Sequence, residues 1–240
     1  VIETRTPADQ FANALYAGAA ALFAYALFAW LLSLPVFAMK RIDVRGQLSH
    51  VSEENVRLVA SRSVRGNFFT VDLEEVRAAF EKLPWVREAR VSRRWPDTLV
   101  VELAEHVPLA RWNDGELVSR EGEVFKAAAE PGLPRFSGPD GSGREVAEAY
   151  RRFGAILAPL GMRIAELGLS PRRAWRLKTD GGLEIALGRG DAAPRLARFV
   201  AQYPRLSERL GAPPAYADLR YADGFAVRLP RAGNTVNKQS

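Results

Sequence analysis

Side chains able to run covalent chemistry are few in this chain. There is no cysteine, and His50 and His106 are the only histidines. Thiol catalysis, disulfides and zinc sites of the cysteine type are therefore excluded. The two histidines stand far apart in sequence, which disfavours a His-based metal centre or a nucleophile–His–acid arrangement. Acidic residues are plentiful, but no pair stands out as the two carboxylates of a general acid–base site. The run Gly138-Pro139-Asp140-Gly141-Ser142-Gly143 lacks the Lys-Ser/Thr ending of a phosphate-binding loop. Arg189-Gly190-Asp191 is short enough to be coincidence. No catalytic pair and no cofactor motif stands out among these residues.

Charge narrows the partners further. The formal net charge is +6, carried mostly by arginine and spread along the chain. Nucleic-acid binding would ask for a concentrated basic face or a known motif, and the sequence offers neither. The 240 residues leave room for a membrane segment and two small folded units.

From Gln10 to Met39 no residue is charged. The most apolar part, Ala14 to Leu32, has about the 20 residues that span a hydrocarbon core of ~30 Å. Tyr16 and Trp30 suit the two interfaces, and Pro35 marks an outer limit. A transmembrane helix over residues 11–36 is the expectation, with residues 1–10 as a short tail before it. A cleaved signal peptide would have a shorter apolar region and a positive flank, whereas Glu3 and Asp9 precede this one. Orientation stays open. Only Arg5 precedes the segment, while Lys40, Arg41 and Arg45 follow it, so positive-inside counting puts the large part in the cytoplasm. Long domains translocate largely regardless of charge, and the chain opens at Val1 without a Met.

Residues 40–106 read as strand, helix, helix, strand, strand. Lys40 to Gly46 alternates and ends in a turn glycine. Ser52 opens a helix to about Ser61, with Val56, Val59 and Ala60 inward. Asn67 to Asp72 forms a linker with Phe68 and Phe69 as two aromatic plugs. Asp72 caps a second helix, Leu73 to Lys82, with Val76, Ala79 and Phe80 inward. A hairpin follows. Ala89 and Val91 share one face of its first arm, and Leu99, Val101 and Leu103 one face of its second. Trp95-Pro96-Asp97-Thr98 makes the turn, because Pro96 fixes φ and Asp97 can bond its own backbone. Trp85 and Trp95 read as core or hairpin anchors. The predicted packing is a three-stranded sheet covered on one face by two helices.

Residues 107–230 start again as a β-rich unit. Leu109–Trp112 and Glu116–Val118 flank the turn Asn113-Asp114-Gly115. Val124-Phe125 is apolar, and Ala127 to Gly143 reads as a loop. Arg144 to Leu160 is a helix with Val146, Ala149, Phe153, Ile156 and Leu157 on one side. Ile164–Leu169 is a strand, and Ala174–Thr179 with Leu183–Leu187 a hairpin. Asp191 caps a helix from Ala192 to Leu210. Tyr216–Tyr221 and Phe225–Leu229 are strands around a turn at Ala222-Asp223-Gly224. Residues 231–240 are polar and read as a disordered tail. The fold class is thus α+β.

Six local patterns in the first unit resemble a POTRA domain, and more narrowly that of the FtsQ/DivIB family of bacterial cell-division proteins. They are Ile42-x-Val44-x-Gly46, Asn67-Phe68-Phe69, Leu83-Pro84-Trp85-Val86, Val91-x-Arg93-x-Trp95-Pro96, Leu99-x-Val101 and Glu105-x-x-Pro108-x-Ala110-x-Trp112. The second unit resembles the family's β-domain in Ser170-Pro171-Arg172-Arg173-Ala174-Trp175, Leu187-Gly188-Arg189-Gly190-Asp191, Arg198-Phe199-Val200 with Tyr203-Pro204, and Asp218-Leu219-Arg220-Tyr221.

The resemblance implies a non-catalytic, single-pass inner-membrane protein of the division septum. Its N-terminus would be cytoplasmic, and its POTRA domain (40–106) and β-domain (107–230) periplasmic. It would link early and late division proteins and bind FtsB, and with it FtsL, through the last strand. Carried over, the contact residues are Arg220, Tyr221, Gly224, Phe225, Ala226, Val227, Arg228 and Leu229. Arg220 would pair with a partner carboxylate, and one of Arg172 and Arg173 would do the same. Ala222 and Asp223 depart from the family's acidic-Ser pair, and Leu229 stands where some relatives have an aromatic residue. A POTRA-bearing chaperone or secretion component is the alternative, but it would call for tandem POTRA repeats or a strand barrel. A membrane-anchored cell-wall enzyme is the other.

Overall fold

The computed structural model describes residues 7–32, 39, 41–221 and 224–230. The chain separates into two compact units, Val1–Glu105 and His106–Ser240. The expectations for residues 1–6, 33–38, Lys40, the Ala222-Asp223 turn and the 231–240 tail lie outside the described residues.

The first unit begins with α1, Pro7–Leu32. Among the described residues no helix is long and apolar enough to cross a membrane. The expected transmembrane segment over 11–36 is therefore not established by them. Strand β1 (Arg41–Arg45) leads to α2 (Glu53–Ser63) and α3 (Leu73–Glu81). Both helices start where the side chains dictate. Ser52 Oγ accepts from Asn55 N, and Asp72 accepts from the Glu74 and Glu75 amides. Strands β2 (Val86–Arg94) and β3 (Thr98–Glu105) form the hairpin, and the sheet order is β1-β3-β2 with β1 parallel to β3. Ala89, Leu99, Val101 and Leu103 meet Val76 and Phe80 in one buried core.

Two aromatic expectations for this unit fail. Phe68 is buried, but Phe69 is 46% exposed, so the linker has one plug. Trp85 stacks on His50 with ring centroids 3.7 Å apart, whereas Trp95 at the hairpin tip is 76% exposed and anchors no core.

The second unit is one nine-stranded sheet in the order β12-β11-β10-β9-β8-β7-β4-β5-β6. Its strands are β4 (Pro108–Trp112), β5 (Glu116–Ser119), β6 (Val124–Phe125), β7 (Arg135–Ser137), β8 (Ile164–Leu169), β9 (Ala174–Thr179), β10 (Glu184–Arg189), β11 (Tyr216–Asp218) and β12 (Ala226–Arg228). Helices α4 (Gly143–Leu157) and α5 (Ala193–Leu210) place Val146, Phe153, Leu157, Leu196 and Phe199 in the same core as the sheet residues Phe136, Leu167, Ile185 and Leu187. The other face carries alternating charge.

The stretch expected as a loop contains β7. It is parallel to both β4 and β8 and buries Phe136 at the middle of the sheet. Helix α4 ends at Leu157, and Ala158–Leu160 tightens into a 3₁₀ turn containing Pro159. The residue capping α5 is Ala192. Asp191 sits one position earlier, although its carboxylate still accepts from Ala193 N at 3.3 Å. Strand β11 stops at Asp218 rather than Tyr221, because the Asp218 carboxylate turns back to accept from Arg220 N at 3.1 Å. The last strand is three residues long rather than five.

Candidate binding edge

Strand β12 is one edge of the nine-stranded sheet. It pairs antiparallel with β11 through Tyr216↔Arg228, Ala217↔Val227 and Asp218↔Ala226, and β11 in turn lies parallel to β10. The Arg228 carbonyl accepts from Ala215 N at 2.9 Å. Backbone groups alternate along a strand, so the Val227 N–H and C=O face the other way, to the open edge. Such a row of unpaired groups is a template for another strand.

Side chains hold the edge from both faces. Val227 and Phe225 pack against the core, and Phe225 meets Phe199 of α5 edge-on with ring centroids 5.2 Å apart. On the opposite face the Arg228 guanidinium lies 5.0 Å from the Tyr216 ring centroid. Register extends this row across the sheet, from Arg135 through Glu166, Lys178, Glu184 and Tyr216 to Arg228. Opposite charges thus face one another across strands, and Lys178 Nζ lies 3.7 Å from Glu184 Oε1. Ala226, Leu229 and Tyr221 are exposed, and Gly224 leads into the strand.

Arg220, expected to pair with a partner carboxylate, is already bound within the chain. Its Nε donates to Asp218 Oδ1 at 2.8 Å and its Nη2 to Oδ2 at 2.6 Å. The Arg220 guanidinium and backbone N–H hold the Asp218 carboxyl below the usual carboxylate range, against a smaller upward push from burial. The same hydrogen bond and charge raise Arg220 in turn. Bidentate pairing leaves Arg220 a directed remainder of its donor fork. Its stem fits against Gly188, where an added Cβ would come within 3.0 Å of Arg220 Cγ.

Arg172 and Arg173 lie in the turn between β8 and β9. Arg173 adopts φ 63° and donates to Glu145 of α4 at 2.6 Å. Arg172 is exposed and makes no ion pair among the described residues. Antiparallel register places this turn at the same end of the sheet as Arg189 and, across β10, as Arg220. With strands ~4.8 Å apart, β9 and β11 are ~10 Å apart. The structure therefore brings the arginine turn and Arg220 to one end, with Arg172 as the uncommitted cation. Sequence reasoning missed Asp218, Glu145 and Tyr216 as the partners of Arg220, Arg173 and Arg228. Only Asp218, two residues from Arg220, left a signal that could have been read.

Among the described residues no group of His, Asp and Glu could hold a metal ion. His50 and His106 belong to separate units and serve separate contacts. His50 Nδ1 lies 3.0 Å from Glu105, while His106 stacks on Phe125.

Comparison with known proteins gives two family matches. Residues 37–106 match the POTRA domain of FtsQ type, and residues 110–220 match the cell division protein FtsQ/DivIB C-terminal domain. The second match ends before β12. The chain is 43% identical over 224 residues to cell division protein FtsQ of Burkholderia pseudomallei, covering 90% of each chain. It is 42% identical over 228 residues to that of Nitrosospira multiformis, covering 93% of this chain and 97% of the relative. Identity to the Escherichia coli protein of that name is 34% over 207 residues, covering 82% of this chain and 75% of the relative.

Proposed function

The chain belongs to the FtsQ/DivIB family of non-enzymatic cell-division proteins, and from that premise we propose that it recruits FtsB, with FtsL, by strand addition at β12. Its role is in the divisome at the septum. The carrying observation is the open edge formed by Ala226–Arg228 at the end of the sheet. A partner segment laid beside β12 would bond the Val227 N–H and C=O. Partner carboxylates would find Arg172 and the outward donors of Arg220 at the same end of the sheet.

The same reading anchors the chain in the inner membrane through the charge-free run Gln10–Met39. Supporting it, Leu15, Tyr16, Leu22, Phe23, Tyr25, Leu27, Phe28 and Trp30 are exposed along α1. These positions are distributed all round a helix of 3.6 residues per turn, a pattern suited to lipid rather than to one protein face. The folded units then lie in the periplasm, with the N-terminus cytoplasmic.

The test of the edge is Val227→Pro. Proline is tolerated in an edge strand where the N–H faces outward, but it removes the donor a partner strand would use. Affinity for an FtsB periplasmic peptide should fall about tenfold, the equivalent of ~1.4 kcal/mol. Unchanged affinity in a folded variant would remove the edge from consideration.

A further inference from the structure

We propose that the β2–β3 tip at Trp95, with Phe69 and the arginines beside it, rests on the surface of an anionic lipid bilayer; this depends on the anchor reading above. Two hydrogen bonds define that end of the first unit. Arg41 N donates to the Asp97 carbonyl at 3.4 Å, and Arg93 Nη2 donates to the Val71 carbonyl at 2.6 Å. The start of β1, the hairpin tip and the 67–71 linker are therefore gathered together.

Their exposed surface has the chemistry of a membrane interface. Trp95 is more exposed than any other large apolar side chain described, and Phe69 adds a second ring. Trp95 belongs to no core cluster and stacks on no ring among the described residues. An indole offers an apolar body and one N–H donor, the combination that settles at headgroup depth. Arg41 and Arg93 supply positive charge at the same end, while Arg94 is paired with Asp43. The carboxylates there are Asp72, Asp97 and Asp43, and Asp43 is taken up by Arg45 at 2.9 Å and Arg94 at 3.2 Å. Arg41 and Arg93 have no carboxylate within ion-pair distance among the described residues.

Chain length restricts where this surface can be. Met39 packs against the core of the unit, and α1 ends at Leu32. Seven residue steps reach at most ~25 Å. With α1 in the bilayer, Met39 is held within that distance of the end of α1, and Arg41, two residues on, bonds the hairpin tip at Asp97, whereas Gly46 lies ~16 Å along the strand from Arg41. A tether this short gives even a weak surface contact a high local concentration.

The test uses the full chain reconstituted in vesicles whose lipids carry bromine on the upper acyl chain, a short-range quencher of tryptophan emission. Wild type is compared with Trp95→Phe and Trp30→Phe, in phosphatidylcholine with and without phosphatidylglycerol. Bromolipid should quench a component of emission that Trp95→Phe removes, with a larger drop when phosphatidylglycerol is present. Equal quenching in wild type and Trp95→Phe overturns the proposal, and an equal drop in both lipid mixtures overturns its anionic part. Trp30→Phe separates the two readings. If it changes nothing, the anchor itself fails; if it removes quenching while Trp95→Phe does not, only the tip contact fails.

Discussion

Arg220 and Asp218 close a two-point ion pair at the end of β11, with contacts of 2.8 and 2.6 Å. Asp218 is nearly buried, its side chain 8% exposed, while that of Arg220 is 62% exposed. The pair ends the strand and aims a guanidinium at solvent beside the open edge. A partner carboxylate would meet a cation already fixed in direction, so less rotamer freedom is lost on binding.

Asp218→Asn should change acid sensitivity. The folded-state pKa of Asp218 is lowered from 3.8, first by the Arg220 hydrogen bond. The pair's contribution is therefore complete above the unfolded value and is lost as pH falls through the lower folded value. Thermal unfolding between pH 7 and pH 2 should show wild type losing stability below about pH 4. The Asn variant, less stable at pH 7, should lose less over that window. Parallel curves would mean that Asp218 carries no linked stability.

Gly188→Ala should weaken partner binding through Arg220. Gly188 has φ +78° and sits at the β10 irregularity, with the new Cβ 3.0 Å from Arg220 Cγ. Gly182→Ala is the control, since it shares a positive φ of +84° but has open space around its Cβ. Each should cost about 1 kcal/mol of stability through left-handed backbone strain. Only Gly188→Ala should lower affinity for the FtsB segment, read by calorimetric titration.

Glu105→Ala should loosen the end of the first unit. Burial pushes this carboxyl up, but the amides of Val51, Ser49 and His50 and the His50 ring together hold it below its usual value. Removing the acceptor strands those amides, at a cost of about 1–3 kcal/mol. Hydrogen exchange at Ser49–Val51 should accelerate, and the first unit should unfold at lower denaturant.

Periodicity made the first unit readable. Ala89, Val91, Leu99, Val101 and Leu103 alternate, and Ser52 and Asp72 mark helix starts, so local rules and tertiary structure agree. Strand β7 escaped because its three residues bury only Phe136 and its neighbours, β4 and β8, are distant in sequence. No turn signal announces a parallel central strand. The edge at β12 was legible through family resemblance. Its arginines were not fully legible, because the pairs Arg173–Glu145 and Arg228–Tyr216 join residues from different elements. The exposure of Trp95 was equally hidden, since a tryptophan beside a turn reads the same whether it folds inward or out.

Strand addition at β12 is tested most directly by amide hydrogen exchange across residues 224–230 with and without the FtsB periplasmic segment. The Val227 amide should exchange quickly in the free chain and gain at least tenfold protection in the complex. The Arg228 amide, next along the strand, should change less. A complex that forms while Val227 exchanges at its free rate would contradict the account.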